Sequence, residues 1–331
     1  MNRKVKYIIY THNAGYVKVC LSDVFSNDNV VVYEYEKLQK FIIKLTYCLY
    51  RIFKKSKSIN KIFFPLFINK KSINLDEIPV FIFYEFNSIS CNKAFLIYLK
   101  KLYPNLKTVL YLTNSVGKGN AKVVDIINQN NSLYDIIITY IKEDAQKYNI
   151  TYYQWFYSAM NKENVDGKEY DLYFLGGDKG RIDLIREIAE KCECNNLKYK
   201  IAVVGANNNN IDDCVTYLSH SVPYSEYLQN IQKSKCVLEL VPNSILSCTL
   251  RTAEAIACNV KLLTNNTNLK NDEIYNPAQM SIFTSVDDID MDFIIKDTGI
   301  QLFNKPDMLS PRHFFRFLEN NLFEHANRFR K

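Results

Sequence analysis

Glycine and histidine are scarce in this sequence of 331 residues, which contains only 9 and 4 of them. After the first apolar segment, the stretch from Thr11 to Gly15 lacks the Gly-x-Gly-x-x-Gly pattern of a dinucleotide-binding turn. The Gly-x4-Gly-Lys-Ser/Thr pattern of a P-loop is missing as well. These two absences argue against an NAD-dependent dehydrogenase and against a P-loop nucleotidase.

Long apolar runs are also lacking, since none reaches the ~18 residues that a membrane-spanning helix needs. The first ten residues pass from a short basic start directly into an apolar segment, without the pattern of a signal peptide. The nine cysteines are odd in number and scattered. Cys192-x-Cys194 has no partner pair at the spacing of the common zinc modules, so we expect free thiols, no bound metal and a cytoplasmic location.

What the sequence does contain is typical of a globular α/β protein. Hydrophobic residues make up 47% and charged residues 23%. Short apolar segments alternate with amphipathic ones, which predicts parallel, doubly wound sheets, and the pattern restarts near residue 168. We therefore predict two Rossmann-like domains facing a cleft, at residues 1–157 and 168–310. A C-terminal helix at 311–331, opened by Pro311, is expected to pack back on the first domain.

Positive charge is concentrated between Lys37 and Lys71, where ten basic residues occur without one acidic residue. Apolar residues such as Phe41, Leu45 and Phe53 are interleaved with them. This pattern suits an anionic membrane surface, which would place the protein peripherally on the inner face of the cell membrane. It suits equally well a domain whose apolar positions are core and whose lysines are solvated. No recognised nucleic-acid module accompanies the patch, so we do not expect nucleic acid as a partner.

The first candidate phosphate site follows the strand predicted at 171–175. Gly177 lies in a tight turn, and Lys179 and Arg181 bring two cations to the start of the next helix. Helix N-termini attract anions, and arginine offers a planar fork to phosphate oxygens. The segment therefore predicts a diphosphate site, although a plain glycine turn with two solvated cations explains the same residues.

The second candidate site is the helix predicted at 250–257, which is preceded by Ser247 and Thr249. We expect these two residues and Arg251 to face phosphate. Glu254 lies five residues beyond Thr249, or ~7.5 Å along a helix, which suits contact with the hydroxyls of a ribose. The alternative is that Arg251 and Glu254 simply pair on the helix surface, because they are three residues apart.

The Arg-x-x-Glu-Ala segment at 251–255, followed by an apolar strand that ends in Leu-Thr-Asn-Asn, resembles the donor-site helix of bacterial GT-B glycosyltransferases. Members of this family act in capsule, O-antigen and lipopolysaccharide synthesis. Three further segments agree in order along the chain. They are Phe-Leu-Gly-Gly-Asp-Lys-Gly-Arg at 174–181, the segments at 134–139 and 143–148, and the linker at 152–158.

The resemblance implies a GT-B fold, with a nucleotide-sugar donor on the second domain and a saccharide or lipid-linked acceptor on the first. It also implies that no metal is required, because cationic side chains and helix ends neutralise the diphosphate. The sequence departs from better-known members at the Glu-x7-Glu motif, since Leu246 lies eight residues before Glu254. Retention or inversion at the transferred sugar is therefore not predicted.

Candidate acceptor-side residues follow two predicted strands of the first domain. His12 comes directly after the first strand, and a neutral imidazole there can take the proton of an acceptor hydroxyl. His12 can equally serve only to order its own turn. Gly15 in the same loop, and Asn114 at the end of the fourth strand, are predicted to contact the acceptor sugar. A nucleotide-sugar epimerase of similar fold, or a non-catalytic nucleotide-sugar-binding protein, remains open as an alternative function.

Overall fold

The computed structural model describes most of the chain. The described residues are 4–11, 14–25, 28–33, 64–68, 73, 76–84, 93–116, 123–124, 127–128, 133–158, 167–205, 214–242, 247–296 and 307–324. The chain forms two compact units. The N-terminal unit comprises Met1–Tyr153 with Phe314–Lys331, and the C-terminal unit comprises Gln154–His313.

The N-terminal unit contains a parallel sheet of six strands in the order β2-β1-β3-β4-β5-β6. The strands are β1 Val5–Tyr10, β2 Val30–Tyr33, β3 Ile78–Tyr84, β4 Lys107–Leu112, β5 Ile136–Thr139 and β6 Thr151–Tyr152. The helices are α1 Ala14–Cys20, α2 Lys93–Leu102 and α3 Lys142–Tyr148, with 3-10 turns at Ser22–Val24 and Phe64–Phe67. Strands β3 and β4 are buried along almost their whole length, because parallel sheets are covered on both faces.

The C-terminal unit contains a second parallel sheet, in the order β12-β11-β10-β7-β8-β9. The strands are β7 Tyr170–Gly177, β8 Tyr199–Val204, β9 Thr216–Leu218, β10 Ser234–Glu239, β11 Lys261–Thr264 and β12 Met280–Ile282. The helices are α4 Ile182–Cys194, α5 Tyr224–Gln232, α6 Leu250–Ala257 and α7 Met291–Ile295, with 3-10 turns at Thr267–Asn271 and Asp307–Leu309. The chain moves outward from β7 through β8 to β9 and then returns to β10 on the other side of β7. The carboxyl ends of β7 and β10 therefore form the topological switch point, where open α/β sheets bind ligands.

A buried lysine completes the packing of α7 in the C-terminal unit. Lys261, in β11, is 2% exposed, and its Nζ donates to carbonyl groups in and just after α7. These carbonyls belong to Phe293, Ile294 and Lys296. The ammonium group thus satisfies the carbonyls that a helix leaves unpaired at its C-terminus.

The C-terminal helix α8, Pro311–Glu319, packs on the N-terminal sheet as predicted. The ring of Phe315 lies 4.5 Å from that of Tyr7 in β1, and the Tyr7 hydroxyl donates to Glu319 Oε1 at 3.0 Å. After Glu319 the chain continues as a π-helical segment, Asn320–Glu324, so the end of the helix predicted over 311–331 stays a prediction. Residues 325–331 lie outside the described part.

Candidate functional site

The turn after β7 brings Lys179 and Arg181 to the switch point. Lys179 and Gly180 both have positive φ, at 50° and 76°, so the chain reverses sharply and leaves Lys179 exposed. Asp178 closes this turn, since its Oδ1 accepts from the backbone N–H of Arg181 at 3.1 Å. Arg181 then precedes α4 as its N-cap residue.

The guanidinium of Arg181 bridges the ends of β7 and β10. Its Nη2 donates to the carbonyl of Gly177 at 3.1 Å, and its Nη1 donates to the carbonyl of Leu240. The Nε–H is buried and has no hydrogen-bond partner in the described part of the chain. Arg181 therefore lies across the switch point with one buried donor unused.

Arg251, in the first turn of α6, bridges the same two strands. Its Nη1 donates to the carbonyl of Leu238 in β10 at 2.9 Å, and its Nη2 donates to the carbonyl of Leu175 in β7 at 2.5 Å. Two guanidinium groups from different helices thus meet at one edge of the sheet. The sequence analysis predicted that both arginines contact phosphate. The structure brings their side chains together at the ends of β7 and β10.

The two arginines differ in how their charge is balanced. Burial lowers the pKa of Arg181, and the neighbouring charge of Arg251 lowers it further, while Asp178 opposes this only in part. Burial also lowers the pKa of Arg251, but Tyr227, Glu254 and Glu239 outweigh it and raise the pKa above its usual value. The protein's own groups therefore compensate Arg251, whereas Arg181 is left with a poorly compensated charge that an anion would stabilise.

Thr249 caps the N-terminus of α6, because its Oγ1 accepts from the backbone N–H of Arg251 at 3.1 Å. The same hydroxyl donates to Glu239, the last residue of β10. Thr252 and Thr264 donate to this carboxylate as well, at 3.1 and 2.6 Å. Glu239 is only 2% exposed and ties α6 to the ends of β10 and β11. Sequence analysis missed it, although a carboxylate at the end of an apolar strand was a signal.

Two asparagines directly after β11, Asn265 and Asn266, form hydrogen bonds with the backbone of Val241 and Ser247. Ser247 is fully buried, and its carbonyl accepts from Nδ2 of Asn266 at 3.1 Å. The Oδ1 of Asn266 is buried and, within the described residues, without a hydrogen-bond partner. Asn265 exchanges two hydrogen bonds with the backbone of Val241, at 2.7 and 3.0 Å. The Asn-Asn pair thus holds the segment after β10, at Val241, and the segment before α6, at Ser247.

Glu254 lies inside a tyrosine cluster. It is 2% exposed, and its two oxygens accept from the hydroxyls of Tyr224 at 2.7 Å and Tyr227 at 2.6 Å. The Tyr224 hydroxyl is in turn 2.8 Å from that of Tyr157. Burial raises the pKa of Glu254, although Tyr227, Arg251 and Tyr224 oppose it. Each carboxylate oxygen has a second lone pair, so contact with a ribose stays a prediction.

The acceptor-side candidates are only partly described. Gly15 was expected in a loop, but α1 begins at Ala14, so Gly15 lies exposed in the first helical turn. Asn114 is exposed just beyond β4, and its Nδ2 donates to Thr113 Oγ1 at 3.4 Å. Both lie near the carboxyl ends of their strands, as predicted. His12 lies outside the described residues, and so do all ten basic residues of the patch between Lys37 and Lys71.

No cluster of three or more potential metal ligands occurs within the described ranges. The sequence has two Asp-x-Asp spacings, Asp288-Ile-Asp290 and Asp290-Met-Asp292, a pattern that can offer carboxylates to Mg²⁺. Asp288 instead accepts from Ser285 N at 3.1 Å, and Asp290 caps α7 by accepting from Phe293 N at 3.0 Å. These carboxylates thus stabilise a turn and a helix start, and metal independence remains a prediction.

None of the described helices combines the length and apolarity needed to cross a membrane. No disulfide joins the seven cysteines in the described segments.

Comparison with known proteins shows the fold. No protein-family model and no curated protein sequence matches the chain. Among solved structures, the chain is similar to accessory secretory protein 1, 2 and 3 of Streptococcus pneumoniae, with a TM-score of 0.51 and 10% identity. The likeness covers 81% of this chain and 58% of that one, so this chain spans little more than half of that protein's length.

Two further solved structures are similar at lower TM-scores. The UDP-forming alpha,alpha-trehalose-phosphate synthase of Burkholderia vietnamiensis has a TM-score of 0.48 and 9% identity, over 96% of this chain and 94% of that one. The UDP-N-acetylglucosamine 2-epimerase of Rickettsia bellii has a TM-score of 0.40 and 12% identity, over 80% and 79%. Likeness at these identities concerns the fold alone. The two parallel six-stranded sheets themselves confirm the two doubly wound, Rossmann-like units that were predicted for a GT-B fold.

Proposed function

We propose that this protein is a glycosyltransferase that takes a sugar from a nucleoside diphosphate sugar bound to the C-terminal unit. The observation that carries this proposal is the pair of guanidinium groups, from Arg181 and Arg251, at the switch point between β7 and β10. Two cations at the carboxyl edge of a parallel sheet favour a ligand with two adjacent negative charges. A diphosphate carries two such adjacent charges.

Arg181 is the residue best suited to act on the leaving group. Its buried Nε–H is an unused donor in the described part of the chain, and its charge is poorly compensated. When the bond from the sugar to the diphosphate breaks, negative charge grows on the departing phosphate oxygens. A preorganised guanidinium, with the exposed Lys179 beside it, stabilises this charge more in the transition state than in the ground state.

The α6 segment supplies the remaining donor contacts in this proposal. The backbone amides near Ser247 and Thr249 lie at the positive end of a helix and face the phosphates in this proposal, as does Gly177 at the end of β7. Arg251 contributes charge while it holds β7 and β10 together. Glu254 accepts from the ribose through its remaining lone pairs. No metal or other cofactor is needed, because these groups neutralise the diphosphate.

The N-terminal unit binds the acceptor, a saccharide or lipid-linked saccharide of a bacterial surface polysaccharide. His12 takes the proton of the attacking hydroxyl, and Gly15 and Asn114 contact the acceptor sugar. The basic patch between Lys37 and Lys71 docks the enzyme on the anionic inner face of the cell membrane, beside such an acceptor. These assignments rest on the sequence, and vesicle flotation tests the last of them: equal binding to neutral and anionic vesicles contradicts it.

Thermal unfolding in the presence of a panel of nucleotide sugars tests the donor proposal. A true donor at a hundredfold excess over its Kd is expected to stabilise the protein by ~2.7 kcal/mol. Arg181→Gln should abolish this stabilisation. Arg186→Gln is the matched control, because Arg186 lies one turn later on α4 and its guanidinium binds the Tyr217 hydroxyl at 3.0 Å.

Two results contradict the proposal. Equal stabilisation of the Arg181 and Arg186 variants would place the donor elsewhere. Incubation with the donor alone separates a transferase from an epimerase, since a transferase leaves the configuration of the donor sugar unchanged when no acceptor is present. Accumulation of epimerised sugar without acceptor would refute the transferase assignment.

A further inference from the structure

Both guanidinium groups of the donor site lie over one aromatic ring. Phe174, in β7, is fully buried, and the centre of its ring is 5.6 Å from Cζ of Arg181 and 5.2 Å from Cζ of Arg251. We propose that Phe174 is a positioning residue of the donor site, which holds the two like-charged guanidiniums together at the switch point, and that Gly176 is required to leave room for them. The inference rests on the proposed function, because it explains how that site keeps its charge.

An aromatic ring suits this position better than a carboxylate would. Two neighbouring guanidiniums repel each other, and a desolvated ring face offsets part of that repulsion. A carboxylate would offset it too, but it would cancel the positive charge and occupy the N–H donors that phosphate oxygens need. The ring holds the cations in place and leaves the net charge of the site unchanged. Phe174 thus orders both arginines without competing with the donor.

Gly176 provides the space for this arrangement. A Cβ atom on Gly176 would lie 2.9 Å from Cζ of Phe174 and 3.2 Å from Nη2 of Arg181, closer than normal packing allows. The next glycine differs, because a Cβ on Gly177 would have its nearest neighbour, Cγ of Lys179, at 3.8 Å. A side chain at Gly176 would therefore push the ring or the guanidinium aside. Glycine is required here because of this lack of space and not because of its backbone conformation.

The test compares two buried phenylalanines of the same core. Phe174→Leu removes the ring beneath the arginines. Phe283→Leu is the control, because Phe283 belongs to the same hydrophobic cluster and is only 2% exposed. Both variants should lose similar thermal stability. Titration with inorganic pyrophosphate, followed by calorimetry at fixed low salt, should show affinity about tenfold weaker for Phe174→Leu, the scale of losing desolvated cation–π contacts. Phe283→Leu should bind pyrophosphate as the unaltered protein does.

A second variant covers the case in which Phe174→Leu fails to fold. Gly176→Ala keeps the ring but displaces it, and should weaken pyrophosphate binding by a similar factor. Equal affinities in the Phe174, Gly176 and Phe283 variants would overturn the inference while leaving the donor site in place. Absence of pyrophosphate binding in the unaltered protein would overturn the donor site itself, and the positioning role with it. The failures of the two proposals are thereby distinguishable.

Discussion

Replacement of Glu239 by glutamine tests how the start of α6 is held. The carboxylate accepts from the hydroxyls of Thr249, Thr252 and Thr264, and with 2% exposure it has almost no contact with water. Glutamine has nearly the same shape and keeps one acceptor oxygen. It places an NH₂ group where the second oxygen was, and this group cannot accept the hydrogen of a hydroxyl.

The size of the effect follows from these contacts. A hydrogen bond to a charged group contributes about 1.5–3 kcal/mol, roughly twice the value of a neutral one. The variant loses the bond from Thr264, which is 2.6 Å long, and the charge assistance of the other two. It also removes a negative charge that compensates Arg251. We therefore expect the free energy of unfolding to fall by about 3 kcal/mol.

Urea denaturation followed by circular dichroism measures this loss. Glu187→Gln, at an exposed position on α4, is the control and should change stability by less than about 0.5 kcal/mol. Thr264→Val completes a double-mutant cycle, in which the two substitutions should be less than additive by about 1–2 kcal/mol. If Glu239→Gln is as stable as Glu187→Gln, or if the cycle is additive, the role assigned to this carboxylate is refuted.

Three further expectations follow from other contacts. Lys261→Met should destabilise the protein by about 3 kcal/mol in urea denaturation, because three carbonyls at the end of α7 lose their buried donor; a loss below about 1 kcal/mol contradicts this. Burial raises the pKa of Asp135, but hydrogen bonds from Thr108 and nearby lysines outweigh it and lower the pKa. The carboxylate of Asp135 thus stabilises the folded protein fully above the unfolded pKa of ~3.9, and this stabilisation is lost as pH falls through the lower, folded pKa. Asp135→Asn should therefore reduce the fall in the free energy of unfolding at acid pH. An unchanged fall refutes this expectation. Sugar transfer should survive EDTA, since Lys179 and Arg181 supply positive charge; loss of activity that Mg²⁺ or Mn²⁺ restores would refute metal independence.

Most of the sheet framework was predictable from the sequence, because parallel strands are buried on both faces and appear as short apolar runs. The helix Leu250–Ala257 has the predicted bounds, and the strand predicted at 171–175 spans Tyr170–Gly177. Strands β6, β9 and β12 were missed, since they contain two or three residues and show no periodicity. Helices α5 and α7 were missed as well.

The candidate site was predictable only as a set of segments. Glycine turns and hydroxyl residues before a helix predicted where Arg181 and Thr249 lie, because such signals are local in sequence. The partners of these residues are not local. Arg181 and Leu240 are 59 residues apart, and Arg251 and Leu175 are 76 residues apart. No pattern of side chains indicates which backbone carbonyls a guanidinium will meet, and the same is true of the hydroxyls around Glu239.

The dependence of the site on backbone carbonyls has a consequence for how its residues are assigned. Both arginines bind carbonyls of β7 and β10, so their positions exist only after these two strands have paired. Removal of Arg251 breaks two bonds between the strands as well as removing a charge, and a loss of activity in that variant does not by itself identify a phosphate ligand. Arg181 bears the less compensated charge and the unused Nε–H among the described contacts. A ligand role is therefore established where a substitution lowers ligand-induced stabilisation by more than it lowers the stability of the free protein. Because Arg181 also bridges the two strands, its variant should lose some stability, but its less compensated charge makes it the residue at which this difference should be largest.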